Sequence, residues 1–174
     1  MSESDQITVT YFYSACVAIE TKDIRLLCDP WFSEGAYDGS WYHFPKPIEP
    51  IERIGTVDYI YISHIHPDHY DPEFLKKYFE IYGEKPILIG DWKNNYLKNA
   101  LVREGFNYKI INDDGLTIGN TKVEIIPHEN GSLSDVDSLV IVKTLSGNAN
   151  EKCVVRNKGA AEGSCIFTKV NGPS

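Results

Sequence analysis

Ser63-His64-Ile65-His66-Pro67-Asp68-His69-Tyr70-Asp71 is the stretch of this chain that decides its fold. It contains three of the five histidines in the chain. Imidazole nitrogens and carboxylate oxygens are ligands that suit zinc, iron or manganese. The pattern therefore predicts a metal site, and the alternative is a polar turn with surface histidines. The potential ligands, four within six residues, are His64, His66, Asp68 and His69.

The position of this segment supports the metal interpretation. It directly follows the β-rich run at 57–62, so its side chains lie in a loop at a strand end, where they can converge on one point. The spacing favours two ions rather than one. His64 and His66 can point to one side of an extended loop, whereas Asp68 and His69 follow the proline bend and can point elsewhere.

The flanking sequence predicts a layered α/β or α+β domain, in which helices cover sheets. Helices are expected over 72–81, with Asp71 as N-cap, and over 91–104, with Asp91 as N-cap. Between residue 31 and residue 50, glycines, prolines and aromatic residues predict a long irregular loop that covers something. Strands are expected at 7–12, 15–20, 24–28, 57–62, 86–90, 108–111, 121–126 and 138–143.

Composition describes an ordinary globular chain and excludes several classes of partner. The chain has 174 residues and a net charge of −8, without a block of like charges, so nucleic acid is not expected as a partner. Its apolar runs are far shorter than a membrane span, so no membrane partner is expected either. The opening residues show no secretory signal, and the four cysteines form no paired motif, so we expect reduced thiols in a cytoplasmic protein. No feature of the sequence indicates an oligomeric state.

The character of the sequence changes near residue 145. Residues 146–174 are rich in glycine, asparagine and lysine and contain one aromatic residue, Phe167. The predicted organisation is therefore a main domain at 1–145, followed by a divergent or truncated C-terminal tail at 146–174.

The motif His-x-His-x-Asp-His after a strand resembles that of the metallo-β-lactamase-fold hydrolases. The resemblance is most specific to the metallo-β-lactamase-like part of CMP-N-acetylneuraminate hydroxylases and their bacterial relatives. It rests on the 61–69 motif and on Cys28-Asp29-Pro30-Trp31-Phe32, and it extends over about 7–143. It implies a four-layer αββα sandwich with a metal site at one edge, between two sheets.

The same resemblance implies a ligand set. His64 and His66 would bind a first metal ion, Asp68 and His69 a second, and His128 would complete the first site. The implied cofactor is Zn²⁺, as one or two ions, with iron or manganese as alternatives.

The end of the chain departs from the family pattern. The family supplies a bridging acidic residue and a further histidine late in the sequence, but this chain has no histidine after His128 and no aspartate after Asp137. Glu151 is the nearest acidic candidate. The resemblance therefore supports the first metal site more fully than the second.

The implied activity is a metal-dependent hydrolase acting on a small-molecule ester, phosphoester or related substrate. Metal-activated water would be the nucleophile, and Asp68 would orient it and accept its proton. One alternative is a non-catalytic or incomplete member of the fold, and a weaker one is a di-iron redox protein. The Rieske module of the hydroxylases is absent from this sequence, so hydroxylation is not supported.

Several further residues have two interpretations each. Asp29 is either a partner that orients a ligand histidine or an ordinary turn aspartate before proline. His43 either touches substrate or is a solvated loop histidine. Trp31, Trp41 and Tyr42 either line a pocket or pack a loop lid.

Overall fold

The computed structural model describes residues 6–129, 136–145, 151–157 and 165–171, the last two ranges by their backbone alone. Within these residues, no helix has the length and apolar character needed to cross a bilayer.

The first sheet has six strands in chain order, so that sequence neighbours are also neighbours in space. Its first two pairings are antiparallel, and the remaining three are parallel. The parallel strands therefore end at one common edge of the sheet, which is where ligand sites of α/β sheets lie. The strands are β1 (Thr8–Tyr13), β2 (Cys16–Glu20), β3 (Arg25–Cys28), β4 (Tyr59–Tyr61), β5 (Ile87–Gly90) and β6 (Tyr108–Ile111).

The second sheet is antiparallel throughout, with the strand order β11-β10-β9-β8-β7. His128 lies near the end of β8, directly opposite Asp137 at the start of β9. The strands are β7 (Leu116–Ile118), β8 (Thr121–Glu129), β9 (Val136–Thr144), β10 (Glu151–Asn157) and β11 (Cys165–Asn171). The backbone of β10 and β11 thus continues the sheet beyond residue 145, where the sequence predicts a domain boundary; that boundary stays a prediction.

Four helical segments lie in the connections between the parallel strands. They are α1 (Ala36–Gly39), α2 (Pro50–Ile54), α3 (Pro72–Tyr82) and α4 (Tyr96–Glu104). The predicted irregular loop contains α1 and leads into α2. Tyr37 and Asp38 have φ values of 52° and 55°, so α1 is an irregular turn rather than a regular helix.

Two apolar clusters hold the layers together. One lies between the sheets, where Leu26 and Tyr61 of the first sheet meet Val123 and Val140 of the second. The other lies between the first sheet and the helices and includes Leu75. The predicted mixed α/β sandwich is confirmed. In the described ranges no helix follows β6, so these residues supply three of the four implied layers.

The two long helices agree with the sequence prediction to different degrees. Asp71 caps α3 as predicted, accepting a hydrogen bond from Phe74 N at 2.9 Å, and also holds the backbone N–H of Phe32 and Ser33. The predicted start of α4 at Asp91 is wrong, because the helix begins at Tyr96. Trp92 instead packs against the helix-side cluster and donates Nε1–H to Asp137 O at 3.4 Å, which ties the segment after β5 to the second sheet.

Leu75→Ala should lower the free energy of unfolding by about 2–5 kcal/mol, because it leaves a cavity in the fully buried cluster under α3. The matched control is Ile81→Ala on the same helix, whose side chain is 57% exposed; it should change stability by less than about 0.5 kcal/mol. Urea unfolding of both variants measures the difference, and equal losses would contradict this packing.

Candidate metal centre

The predicted ligand motif lies where three strands place polar groups at one edge of the sandwich. Asp29 follows β3, Ser63 follows β4 by two residues, and Asp137 is near the start of β9. All three are close to the histidine segment in space, although Asp137 is far from it in sequence. The site is therefore built by the convergence of the parallel strand ends with the second sheet.

Asp29 is the residue that connects most of this edge. Its N–H donates to Tyr61 O at 2.9 Å, and its Oδ1 accepts from Ser63 N at 2.7 Å. Its Oδ2 lies 3.1 Å from His69 Nδ1. Of the two interpretations of Asp29, the structure thus shows the contact with a predicted ligand histidine.

A chain of hydroxyl groups joins the two sheets beside the histidines. Tyr61 OH lies 2.7 Å from Ser138 Oγ, and Ser138 Oγ donates to Ser63 O at 2.9 Å. Ser63 Oγ in turn lies 2.9 Å from His64 Nδ1. These groups are buried, so each hydrogen bond satisfies a polar atom that water does not reach.

Four predicted ligands of the motif are brought together. His64 Nε2 lies 2.9 Å from His66 Nδ1, and the rings of His64 and His69 are 4.2 Å apart. His69 Nε2 lies 3.3 Å from Asp68 Oδ2. A tight turn produces this arrangement, because the N–H groups of His69 and Tyr70 both donate to His66 O.

His64 is neutral in this environment. Burial, together with the neighbouring His69 and His66, lowers its pKa to about 3 against the pull of nearby carboxylates. Burial also raises the pKa of Asp137 to about 6. The 3.5 Å approach of Asp137 Oδ1 to His64 Nδ1 is therefore not a charged pair in the chain alone.

His69 and Asp68 stabilise each other's charged forms. Burial acts to lower the pKa of His69, but Asp29 and Asp68 together raise it to about 10. Burial likewise acts to raise the pKa of Asp68, and hydrogen bonds from His69 and Tyr37 overcome this and hold it at about 2. Tyr37 OH donates to Asp68 Oδ1 at 2.7 Å. Its own pKa is raised by burial and by that carboxylate.

His128, the remaining predicted ligand, is exposed and faces Asp137 across the β8–β9 pair. The structure gives it no direct contact with His64 or His66 among the described interactions. Lys152 pairs with Lys143 in the register of β10 with β9. The backbone of Glu151 therefore lies near the far end of β9, roughly 20 Å along the sheet from Asp137. Among the described side chains of the second sheet, Asp137 is an acidic group that approaches the histidines.

Sequence reasoning did not select Asp137, Tyr37 or Ser138 as parts of the site. Asp137 and Ser138 are brought there by strand pairing, and Tyr37 by the fold of the loop before α2. The register of β8 with β9 could have suggested Asp137, because it places this aspartate opposite His128. For Tyr37, which lies 31 residues before Asp68, the sequence carries no local signal.

The donor set fits a divalent metal ion in its chemistry. His64 is neutral and Asp68 is ionised, and His69, whose Nδ1 lies beside Asp29, would release its Nε2 proton on binding an ion. Among the described residues, no three such groups are arranged to hold a single ion together. His64 and His66 show why: their facing nitrogens are 2.9 Å apart, whereas two nitrogen ligands of one tetrahedral zinc lie roughly 3.3 Å apart.

Comparison with known proteins agrees with this architecture. The sequence profile of the "Beta-lactamase superfamily domain" matches residues 8–142, which is most of the chain. The chain belongs to the β-lactamase superfamily. The predicted resemblance to the metallo-β-lactamase fold is thereby confirmed at the level of the family.

Similar superfamily members have diverse names. The chain is 29% identical over 124 residues to the cytidine monophosphate-N-acetylneuraminic acid hydroxylase of Mus musculus, covering 70% of this chain and 19% of that protein. It is 37% identical over 100 residues to a Mycolicibacterium smegmatis protein whose name includes "Rieske 2Fe-2S iron-sulfur protein", covering 57% and 19%. The chain thus spans about a fifth of the length of these relatives.

A solved structure with the same fold is the isothiocyanate hydrolase from Delia radicum gut bacteria. It superimposes with a TM-score of 0.63 at 16% identity, covering 84% of this chain and 60% of that one. At this identity the superposition shows the shared fold.

Tyr61→Phe should lower the free energy of unfolding by about 1 kcal/mol, because it removes the buried hydroxyl that bonds to Ser138 between the sheets. Tyr59→Phe, two residues earlier on the same strand and only half-buried, is the matched control and should have little effect. Chemical denaturation of both variants measures the change. Equal stability of Tyr61→Phe and the wild type would show that this bond does not hold the sheets together.

Proposed function

We propose that this chain is a metal-dependent hydrolase that acts on an ester, a phosphoester or a related small-molecule substrate. The observation that carries the proposal is the convergence of three imidazoles and the Asp68 carboxylate at the parallel strand ends, with His69 oriented by Asp29. Superfamily membership supports it, as do the hydrolase names of structural neighbours. The hydroxylase name of a partial relative belongs to a much longer protein.

In this proposal, His64 and His66 hold a first zinc ion together with His128, and Asp68 and His69 hold a second. A bound divalent ion would supply an activated water nucleophile and a Lewis acid for the substrate oxygen. Iron or manganese would suit the same donors. The number of ions depends on whether Asp68 and His69 form a complete site.

The protein's own groups position the reacting water. The Asp68 carboxylate is ionised, so its oxygens accept hydrogen bonds, and it would orient the attacking water and receive its proton. Tyr37 donates a hydrogen bond to Oδ1 of this carboxylate, while His69 contacts its Oδ2. Burial of the cluster excludes bulk water and strengthens these interactions.

A second candidate, a non-catalytic member of the superfamily, is favoured by one observation. His128 is exposed and shows no contact with His64 or His66 among the described interactions, so the first site would be incomplete if His128 did not bind. A di-iron redox protein is the weaker candidate, and it predicts iron rather than zinc in the purified protein.

The first test is elemental analysis of protein purified without added metal. We expect one or two zinc ions per chain in the wild type and the loss of most of this metal in His64→Ala, because a central imidazole ligand is removed. His43→Gln, which changes a histidine outside the cluster, should retain the metal.

The metal count separates the candidates. Two ions support the complete hydrolase site, and one ion means that Asp68 and His69 do not form a second site. A folded wild type without metal, even after incubation with zinc, would contradict the proposal, and bound iron would favour the redox candidate.

A second test measures hydrolysis of an ester and phosphoester panel by the zinc-loaded protein. Asp68→Asn should lower kcat by about 10²–10⁴-fold, because the amide no longer accepts the proton of the attacking water. Tyr37→Phe should lower kcat by about tenfold with little change in KM, since only the orientation of Asp68 is lost. Full activity of Asp68→Asn with bound metal would exclude the proposed role.

A further inference from the structure

An aromatic groove lies beside the histidine cluster, outside the ligand set. Its volume is about 520 Å³, and it is open to solvent along one side. We name it the aromatic groove. Its walls consist mainly of rings from strand β1 and from the loop between β3 and α2, namely Tyr11, Tyr13, Trp31, Trp41, Tyr42 and His43.

The ring of His43 is the packing centre of the groove. It lies 4.0 Å from the Trp31 ring and 4.6 Å from the Tyr13 ring, measured between centroids, and it bonds to the Trp31 backbone. Its Nε2 is buried and has no hydrogen-bond partner among the described residues. Solvent does not reach this nitrogen, so His43 packs the wall of the groove rather than offering a polar group to a ligand. Of the two interpretations of His43, full solvation does not describe its ring, which is half-buried among aromatic rings.

The wall is preformed by the backbone of the loop. Gly35 and Gly39 have φ values of 74° and 82°, in a region that side chains disfavour. A Cβ at Gly39 would lie 2.9 Å from the Tyr42 hydroxyl, so the glycine allows this ring to approach the turn.

Ring contacts connect the groove with the proposed metal centre. The Trp41 ring, at one wall of the groove, lies 5.0 Å from the Tyr37 ring. The Tyr37 ring lies 6.1 Å from that of His66, and its hydroxyl bonds to Asp68. The rings of Trp41 and Tyr37 therefore link the groove to the ligands of the proposed centre.

The groove carries no formal charge. None of its lining residues is lysine, arginine, aspartate or glutamate, and burial lowers the pKa of His43, which favours the neutral ring. The basic residues nearby, Lys46 and Arg53, line a separate groove, and Lys46 pairs with Glu34. The aromatic groove therefore lacks the cations that would recognise a phosphate or carboxylate.

The exposure of its rings indicates a ligand. Tyr42 is 66% exposed and Trp41 is 41% exposed, and together with Tyr11 they form an aromatic surface around a concavity. Aromatic rings around a concave site, with few polar groups, are typical of small-molecule pockets.

We propose that the aromatic groove binds an uncharged six-membered or fused ring by stacking, and that this ring belongs to the substrate of the proposed hydrolase. The assignment of the ring to a substrate rests on the proposed function; ring binding itself does not. Either an aromatic ring or the apolar face of a pyranose sugar presents this chemistry to Trp41 and Tyr42.

The test is a ligand-observed NMR titration with three probes: 2-naphthol, 2-naphthoate and methyl glucoside. We expect 2-naphthol or methyl glucoside to bind in the millimolar range and the anion 2-naphthoate to bind more weakly. The preference between the two neutral probes distinguishes an aromatic from a sugar ring. Tyr42→Ala should weaken binding about three- to tenfold, and Trp41→Ala similarly, because one stacking wall is lost.

The matched control is Tyr96→Ala, an exposed tyrosine on α4 outside the groove, which should leave binding unchanged. The titration is repeated with metal-free His64→Ala, so that ring binding is measured independently of hydrolysis. Binding in both proteins without hydrolysis by the zinc-loaded wild type would support the groove and contradict the proposed function.

Three results would overturn the groove proposal itself. They are no binding of either neutral probe to the folded wild type, tighter binding of 2-naphthoate than of 2-naphthol, and equal weakening by Tyr42→Ala and Tyr96→Ala.

Discussion

The geometry of the proposed metal centre depends on the carboxylate of Asp29. This residue has a φ of 44°, a left-handed conformation that aspartate tolerates better than most residues. In that conformation its backbone N–H reaches Tyr61 O and its two oxygens reach Ser63 N and His69 Nδ1. One side chain therefore fixes the spacing of β3 and β4 at their carboxyl ends and the orientation of a predicted ligand. The turn at His66 is held in place through the contact of Asp29 with His69.

Hydrogen bonds at both ends of the sandwich fix the position of the second sheet relative to Asp29. At the site, Tyr61 and Ser138 bond across the sheets. At the other end of β8, Thr21 Oγ1 lies 2.8 Å from Thr121 Oγ1, whose hydroxyl also donates to Asp23 Oδ2 at 2.9 Å. The apolar cluster between the sheets lies between these polar contacts. Because packed apolar side chains alone tolerate small sliding shifts, the directional bonds at both ends determine where Asp137 meets His64.

Local sequence predicted the parts of the fold that local interactions determine. The cap of α3 at Asp71 and the turn at His66 each depend on neighbours within a few residues, and the ligand cluster could be recognised for the same reason. The sequence places the start of α4 too early, because Asp91 is a residue type that often caps helices. In the structure, the neighbouring Trp92 side chain instead makes a tertiary hydrogen bond to Asp137 O. Asp137 and Tyr37 depend on strand register and on loop conformation, which a single sequence does not encode in any local pattern.

The proposed reacting groups and the proposed binding groove lie in different kinds of structure in this chain. The histidine cluster lies on a tight turn, between a buried strand and a capped helix, and its groups satisfy one another's hydrogen bonds. The aromatic groove lies on a glycine-containing loop and at the edge strand β1, where few backbone bonds restrict sequence change. Substitutions in the loop could thus alter which ring is bound without moving Asp29 or the turn at His66. Tyr37 is the exception, because its ring contacts the groove wall while its hydroxyl holds Asp68. A change of ligand that displaced Trp41 would therefore reach the proposed reacting groups through this one residue.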